Sequence, residues 1–270
     1  MHTHTCAPAN SSRHDLPEAT PLASDAEAIR TRKRGKSVCS IAAMLIALSC
    51  TSQPLMAGPR VARIQAEHTL VCGVSDDTAG FAKQSADGQW TGFETDLCRA
   101  IAAAMLGPDA QVNFRKLADV HDYLADERID IVFHRLTWTL TREAPGQLEF
   151  GPIYFHDEPL DMGKEPLAPL LRSDDPDFAR IVRWTVYALI EAEELGIGAS
   201  NPTAQPDWPP EATGPALGLV PSWARQAVLA TGNYAELYDR HFGPQTALAR
   251  PRGLNRLWKD GGLLLAPPLR

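Results

Sequence analysis

The sequence lacks the residue patterns that mark the common enzyme classes. It contains no Gly-rich phosphate-binding loop, no His-Glu-x-x-His zinc motif, no paired-cysteine zinc set and no Gly-x-Ser-x-Gly turn. The histidines that follow residue 57 share no metal-ligand spacing. We therefore expect a protein that is not an enzyme and that holds neither a metal nor a cofactor.

A basic surface is also missing from most of the chain. Residues 58–270 hold 20 of the 26 Lys and Arg residues and 29 of the 33 acidic residues, a net charge of −9. Because proteins that bind nucleic acid carry a basic face, we expect no nucleic-acid partner. An anionic ligand is not excluded, since one arginine can dominate the field within a site.

No apolar run reaches the ~20 residues that a membrane-spanning helix needs. The apolar stretch 38–48 follows a basic segment, 30–36, and small residues come after it. This order is typical of a signal peptide. We expect residues 1–57 to be a disordered leader and signal peptide, cleaved after Ala57. An uncleaved anchor and a lipid attached to Cys50 are the alternatives.

Cysteine is scarce after this leader, where only Cys72 and Cys98 remain. In an oxidising compartment an even pair is a candidate disulfide. Cys72 lies in an apolar predicted strand and Cys98 on the helix that follows, so the two side chains can face each other. Two buried free thiols are the alternative.

Strand and helix patterns alternate along the body of the chain. Apolar segments at 69–74, 111–117 and 130–133 predict strands, and the segments 94–106 and 119–127 predict helices between them. This order indicates an α/β fold, with a parallel-type sheet flanked by helices and right-handed crossovers.

The second half of the chain is predicted to be mainly helical. Asp174-Asp175-Pro176 should begin a long helix that ends before Gly196. Two shorter helices are expected at 222–231 and 233–241. The proline-rich stretch 200–221 predicts a loop before them.

Two loops stand out as candidates for ligand binding. Ligands of parallel sheets bind beyond the carboxyl ends of the strands, which here lead into 75–81 and 134–142. The second loop contains Thr-Trp-Thr-Leu-Thr-Arg, residues 137–142. Hydroxyl groups and a guanidinium suit a ligand carboxylate. The alternative is that Arg142 pairs only with solvent or with Glu143.

Several segments resemble the amino-acid-binding proteins of polar and general L-amino-acid ABC importers, in the extracellular solute-binding protein family 3. They are residues 70–74, 88–93, 96–100, 137–142, 164–167, 181–196, 232–234 and 252–268. The resemblance implies a type II periplasmic binding protein fold. It also implies an L-amino acid as ligand, an ABC permease in the inner membrane as partner, and a location in the periplasm.

The resemblance also implies that half of the protein is missing. Family members close two lobes on the ligand, and their second lobe lies between the counterparts of Phe155 and Glu165. A lobe of that kind needs ~100 residues, and only 156–164 are present here. We expect a single lobe over residues 58–270, built from an N-terminal part, 58–155, and a returning C-terminal part, 164–270.

Family membership would assign roles to individual residues. Arg142 resembles the arginine that binds the ligand carboxylate, Thr137 its hydroxyl partner, and Phe81 the aromatic side chain that covers the ligand. The remaining expected ligand-binding residues are Thr139, Trp138 and Asp77. For Trp138 the alternative is a purely structural aromatic side chain.

Arg135 and Leu136 depart from the family, whose importers usually carry Asn and Thr there, so a bulky cation lies at the binding edge. With one lobe absent, we expect an amino-acid-binding component of weakened affinity. The alternative is a non-transport interaction or regulatory module, which can self-associate, or an inactive deletion product.

Overall fold

The structure is a computed structural model that describes residues 57–75, 77–119, 121–143, 146–157 and 165–270. The predicted leader and signal peptide therefore lie outside the described residues, apart from Ala57. Within the described part of the chain, no helix is both long enough and apolar enough to cross a membrane.

The described residues form ten strands and eight helices, with two short 3₁₀ turns near the C-terminus. The strands are β1 (Thr69–Val74), β2 (Asp77–Thr78), β3 (Ala82–Gln84), β4 (Trp90–Thr91), β5 (Gln111–Lys116), β6 (Ile131–Phe133), β7 (Leu148–Phe150), β8 (Phe155–Asp157), β9 (Glu165–Leu167) and β10 (Leu170–Arg172). The helices are α1 (Pro59–Glu67), α2 (Phe93–Leu106), α3 (His121–Ala125), α4 (Leu140–Glu143), α5 (Pro176–Leu195), α6 (Thr213–Ala216), α7 (Trp223–Thr231) and α8 (Tyr234–Phe242).

The large sheet has five strands in the order β5-β1-β6-β10-β7. The three strands predicted from the first half of the chain, β1, β5 and β6, are parallel as expected. The sheet as a whole is mixed, because β10 runs antiparallel to both of its neighbours. The chain reverses direction between the antiparallel strands β8 and β9 and continues from β9 into β10, so β10 lies beside β6 without a crossover helix.

Alternating side chains of the strands pack on opposite faces of this sheet. On β1, Leu70, Cys72 and Val74 belong to the larger apolar cluster, whereas Val71 belongs to a smaller one. Successive strand side chains point to opposite faces, which accounts for this division. Helices α2, α5, α7 and α8 supply the larger cluster, and Tyr123 of α3 lies in the smaller one.

The long helix α5 begins and ends as the sequence predicts. The Asp175 side chain accepts a hydrogen bond from the Phe178 N–H over 3.0 Å, and Pro176 is the first helical residue. Gly196 ends the helix in the left-handed region, with a φ of 69°. A side-chain acceptor at the start and a glycine at the end satisfy backbone groups that the helix leaves unpaired.

Helix α1 was not predicted. It covers only nine residues and buries only Val61 and Ile64. Its N-terminus is stabilised by a residue far away in the sequence, because the Asp175 carboxylate accepts hydrogen bonds from the N–H groups of Arg60 and Val61. The partner of this helix terminus thus lies in another part of the sequence.

Candidate functional site

The two loops predicted to bind ligand begin at one edge of the large sheet. Strands β1 and β6 are parallel, with Val74 opposite Phe133. The loops that follow them therefore leave the sheet on the same side. The first loop carries Phe81, and the second leads through Thr137 into the short helix α4.

Main-chain contacts hold the second loop against β9. Thr137 forms an antiparallel bridge with Leu167, and the Trp138 N–H donates to the Pro166 carbonyl over 2.8 Å. These contacts fix the backbone of the Thr-Trp-Thr-Leu-Thr-Arg segment at the sheet edge. The side chains of this segment therefore start from defined positions.

Arg142 and the two threonines before it lie together at the surface. The Arg142 Nη1 atom donates to the backbone carbonyl of Thr137 over 2.6 Å, and its side chain is exposed. The hydroxyl oxygens of Thr139 and Thr141 are 3.3 Å apart. A carboxylate can reach this group from solvent, although no second wall of protein encloses it among the described residues.

Thr137 and Trp138 each have a carboxylate partner. The Thr137 hydroxyl donates to Glu165 Oε2 over 2.9 Å, and the Trp138 Nε1–H donates to Glu143 Oε2 over 3.1 Å. The Trp138 ring stacks on Phe150 and is 39% exposed. Its orientation is thus set by the protein itself, while part of the ring stays open to solvent.

Phe81 is buried, with only 4% of the residue exposed. Its ring centroid lies 5.0 Å from those of both Phe155 and Phe242. The guanidinium groups of Arg135 and Arg250 lie 5.1 and 5.7 Å from the same centroid, within the range of cation–π attraction. A ligand approaching from solvent would therefore contact these arginines before the Phe81 ring.

The backbone around Phe81 depends on a glycine. A Cβ atom at Gly92 would lie 2.1 Å from the Phe81 carbonyl oxygen, and Gly92 has a φ of 137°. That carbonyl accepts a hydrogen bond from the Glu94 N–H over 2.9 Å. Asp77 pairs with Lys83 in the small sheet β2-β3-β4, and its side chain lies outside the described part of the structure.

A carboxylate joins the two arginines that lie over Phe81. Asp157 Oδ2 accepts from Arg135 Nη2 over 3.1 Å, and Asp157 Oδ1 accepts from Arg250 Nη1 over 3.3 Å. The Asp157 side chain is 12% exposed, compared with 41% and 36% for the two arginines. This cluster was not predicted, although the departure at Arg135 signalled an unusual cation at this edge.

Arg135 is held in an uncommon backbone conformation by a buried glutamate. Its φ is 47°, and its N–H donates to Glu94 Oε1 over 2.7 Å. The Tyr154 hydroxyl donates to the same oxygen. Glu94 is fully buried, and this burial raises the pKa of its carboxyl group. Arg135 is thus anchored by a group in the protein interior.

Strands β8 and β9 pair with each other in a two-stranded antiparallel sheet. Phe155 lies opposite Leu167 and Asp157 opposite Glu165, so two acids form the outermost pair. The Asn255 side chain bonds the N–H and the carbonyl of His156 at 2.7 and 2.9 Å and ties β8 to the C-terminal region. The connection between the strands, 158–164, lies outside the described residues.

Cys72 and Cys98 are joined in a disulfide that links β1 to α2, with their Cα atoms 6.4 Å apart. Both residues are fully buried in the larger apolar cluster. In the described ranges, no group of three or more His, Cys, Asp and Glu side chains is placed to hold a metal ion.

Comparison with known families matches residues 70–196 to the bacterial extracellular solute-binding proteins, family 3. This region contains β1, the predicted binding loops and α5. The match covers 127 of the 270 residues, just under half of the chain. Proteins of family 3 are extracellular by description, which agrees in general terms with an exported protein.

Two curated relatives are named as amino-acid-binding proteins. BztA of Rhodobacter capsulatus, a glutamate/glutamine/aspartate/asparagine-binding protein, is 26% identical and is matched over 77% of this chain and 92% of its own length. AapJ of Rhizobium johnstonii, a general L-amino acid-binding periplasmic protein, is also 26% identical, with the same coverage of both chains.

The alignment with BztA leaves many positions without a counterpart in this chain. It extends over 311 positions, whereas 77% of 270 residues is about 208 residues. Roughly 103 positions are therefore unmatched, the size of a small domain.

A solved structure supports the fold. The ABC transporter / periplasmic binding protein from Brucella ovis with glutathione bound has a TM-score of 0.73 and 23% identity. The match covers 78% of this chain and 99% of that one. The periplasmic binding protein fold expected from the sequence is confirmed.

Proposed function

We propose that this protein is the periplasmic amino-acid-binding component of an ABC importer, and that it presents one ligand-binding lobe where its relatives have two. The lobe would comprise residues 58–270, with 58–155 and 164–270 as its two parts. The leader 1–57 would export it to the periplasm. Its partners would be an L-amino acid and a permease in the inner membrane.

The observation that carries this proposal is the position of residues 137–142 in a chain that matches family 3. Thr137, Thr139 and Arg142 lie at the carboxyl end of the parallel strands, and the segment is held there by β9. Hydroxyl groups and a guanidinium at such an edge suit an α-carboxylate. BztA and AapJ are named for amino-acid binding, which supports the same class of ligand.

The paired strands β8 and β9 support the single-lobe proposal. Only seven residues, 158–164, connect Asp157 to Glu165. An independent domain needs many more residues than this connection offers. The roughly 103 unmatched positions in the BztA alignment agree with the loss of one lobe.

A single lobe has consequences for affinity. Arg142 is exposed, and an exposed ion pair contributes only about 0–1 kcal/mol. Micromolar binding requires about 8 kcal/mol. Most ligand sites reach such values by burying the ligand between walls. We therefore expect dissociation constants in the millimolar range for the protein alone.

Isothermal calorimetry of the purified protein with a panel of L-amino acids tests this proposal. We expect weak, saturable heat with at least one amino acid and no heat after Arg142→Ala. Arg128→Ala is the matched control, because Arg128 is an exposed arginine that pairs locally with Asp126. An absence of heat for every amino acid at millimolar concentration would favour an inactive deletion product.

A second candidate function is that of an interaction module. Trp138, Leu263 and Leu265 are 39%, 51% and 58% exposed and line one cavity of about 260 Å³. Exposed apolar patches often mark sites of protein association. Self-association through this surface predicts a concentration-dependent dimer in sedimentation velocity, which Leu265→Glu should dissolve. A monomer at all concentrations would count against it.

A further inference from the structure

Arg135 and Arg250 form a cationic pair that is only partly neutralised. Both guanidinium groups contact Asp157, so two positive charges share one carboxylate. Each arginine makes a single hydrogen bond to it, through a different carboxylate oxygen. One carboxylate leaves a net positive charge on the pair, which a further anionic group can neutralise.

The pair is also built to persist without Asp157. The Arg135 backbone is anchored by Glu94. The Arg250 guanidinium lies over the rings of Phe155 and Phe242, at 4.8 and 4.5 Å from their centroids. These contacts hold the two cations close together by means other than the bridging carboxylate.

The contacts of Asp157 allow a carboxylate from solvent to replace it. Its arginine partners are 41% and 36% exposed, and partly exposed ion pairs contribute little to stability. A carboxylate from solvent can thus compete with it for the same two guanidinium groups.

We propose that Arg135 and Arg250 form a binding site for the second carboxylate of an acidic ligand, and that Asp157 occupies this site as a built-in competitor. The ligand class is a dicarboxylate, either an acidic amino acid or a free dicarboxylic acid. Asp157 weakens the binding of such ligands, and its displacement selects them over neutral analogues.

The two anion sites lie close together along the chain. Arg135 and Thr137 are two residues apart, so their Cα atoms are separated by at most ~7 Å. One carboxylate can reach the Thr137–Arg142 group while the other reaches Arg135. The acid opposite Asp157 in the hairpin, Glu165, takes the Thr137 hydroxyl. The facing acids of β8 and β9, Asp157 and Glu165, thus each bind to one of the two anion sites.

The amino-acid part of this inference rests on the proposed function, whereas the dicarboxylate part does not. Calorimetry of wild type, Asp157→Asn and Asp157→Asn/Arg135→Ala with three probes separates the two. The probes are L-glutamate, its neutral analogue L-glutamine, and glutarate, which carries both carboxylates without the ammonium group.

We expect Asp157→Asn to bind L-glutamate and glutarate about three- to fivefold more tightly than wild type, since a partly exposed ion pair corresponds to a step of at most about fivefold. L-Glutamine should change by less than twofold. Adding Arg135→Ala should abolish the gain for both dicarboxylates.

Each outcome decides one proposal. A gain for glutarate with no amino-acid binding by any variant would support the anion site and contradict the amino-acid-binding function. Binding of L-glutamine without any gain for the dicarboxylates would do the reverse. An equal gain for L-glutamine and L-glutamate would overturn the selectivity.

A second measurement applies if Asp157→Asn does not fold. In the wild-type protein, the side-chain Nε–H resonances of Arg135 and Arg250 should shift together on titration with glutarate, while that of Arg128 should not. Unchanged Arg135 and Arg250 resonances at saturating glutarate would overturn the proposal.

Discussion

Two carboxylates, Asp130 and Asp157, each bind a pair of arginines at opposite ends of the parallel strands. Asp130 lies just before β6 and accepts from Arg60 and Arg63 of helix α1. Asp157 lies beyond the other end of β6 and accepts from Arg135 and Arg250. The two clusters have the same composition but differ in their environment.

The two clusters differ in how deeply they are buried. The Asp130 side chain is fully buried and also accepts from the Val71 N–H over 2.8 Å, so both oxygens are bound inside the fold. The arginines of Asp157 are partly exposed. The same ion triad can therefore serve as a structural anchor at one end of the sheet and as an exchangeable site at the other.

The largest expected effect is at the buried cluster. Asp130→Ala leaves Arg60 and Arg63 without their buried partner and should lower the free energy of unfolding by about 3–5 kcal/mol. Urea denaturation measures this change. Asp174→Ala is the control, because Asp174 pairs with the same Arg60 but is 58% exposed, so it should cost less than about 1 kcal/mol. Equal losses would contradict the comparison.

The disulfide lies near the Asp130 end, since Cys72 is in register with Ile131, the first residue of β6. It closes a loop with a sequence separation of 26, for which chain entropy predicts a stabilisation of about 3.5 kcal/mol. Urea denaturation with and without a reductant should show this difference. A Cys72→Ala/Cys98→Ala variant should be insensitive to the reductant. If wild type is equally insensitive, the two thiols are free.

Glu94 provides a pH-dependent test at the end of the sheet that bears Arg135. Burial raises its folded-state pKa above the unfolded value of about 4.5. The folded state then holds the proton more tightly, so wild type loses stability as pH rises above about 4.5. Glu94→Gln should remove this loss, and its stability relative to wild type should increase from pH 4 to pH 7.

Denaturation at several pH values checks the Glu94 prediction. Glu127→Gln, at an exposed position, is the matched control for the removal of a carboxylate. A constant difference between Glu94→Gln and wild type would contradict the assigned effect of burial.

The smallest expected effect on stability is at the exposed cluster. Asp157→Asn should change the free energy of unfolding by about 0–1 kcal/mol, since its partners are partly hydrated. Urea denaturation beside Asp130→Ala gives the direct comparison. A loss as large as that of Asp130→Ala would make Asp157 a structural anchor and would weaken the case for exchange.

Local patterns accounted for much of the fold. Helix α5 was predicted from Asp175, Pro176 and Gly196 because capping depends on neighbouring residues. The parallel strands followed from the alternation of apolar strands and amphipathic helices. Helix α1 was missed because its buried face is small and its N-terminal partner, Asp175, lies far away in the sequence.

The candidate site was likewise predicted only in part from the sequence. Residues 137–142 were predicted because hydroxyls and a guanidinium follow one strand directly. The burial of Phe81 and the pairing of Arg250 with Asp157 had no local signal. They bring together residues from the first loop, from β8 and from the C-terminal region.

The sequence by itself indicated the family resemblance, the alternation of strands and helices from β1 to β6, and the brevity of the stretch between Phe155 and Glu165. These are properties of neighbouring residues, because periodicity, capping and spacing act over short distances along the chain. Only the tertiary structure decided that Asp130 is an anchor and that Asp157 lies across two exposed arginines. The strength of an ion pair depends on its distance from water, which is set by packing between distant segments.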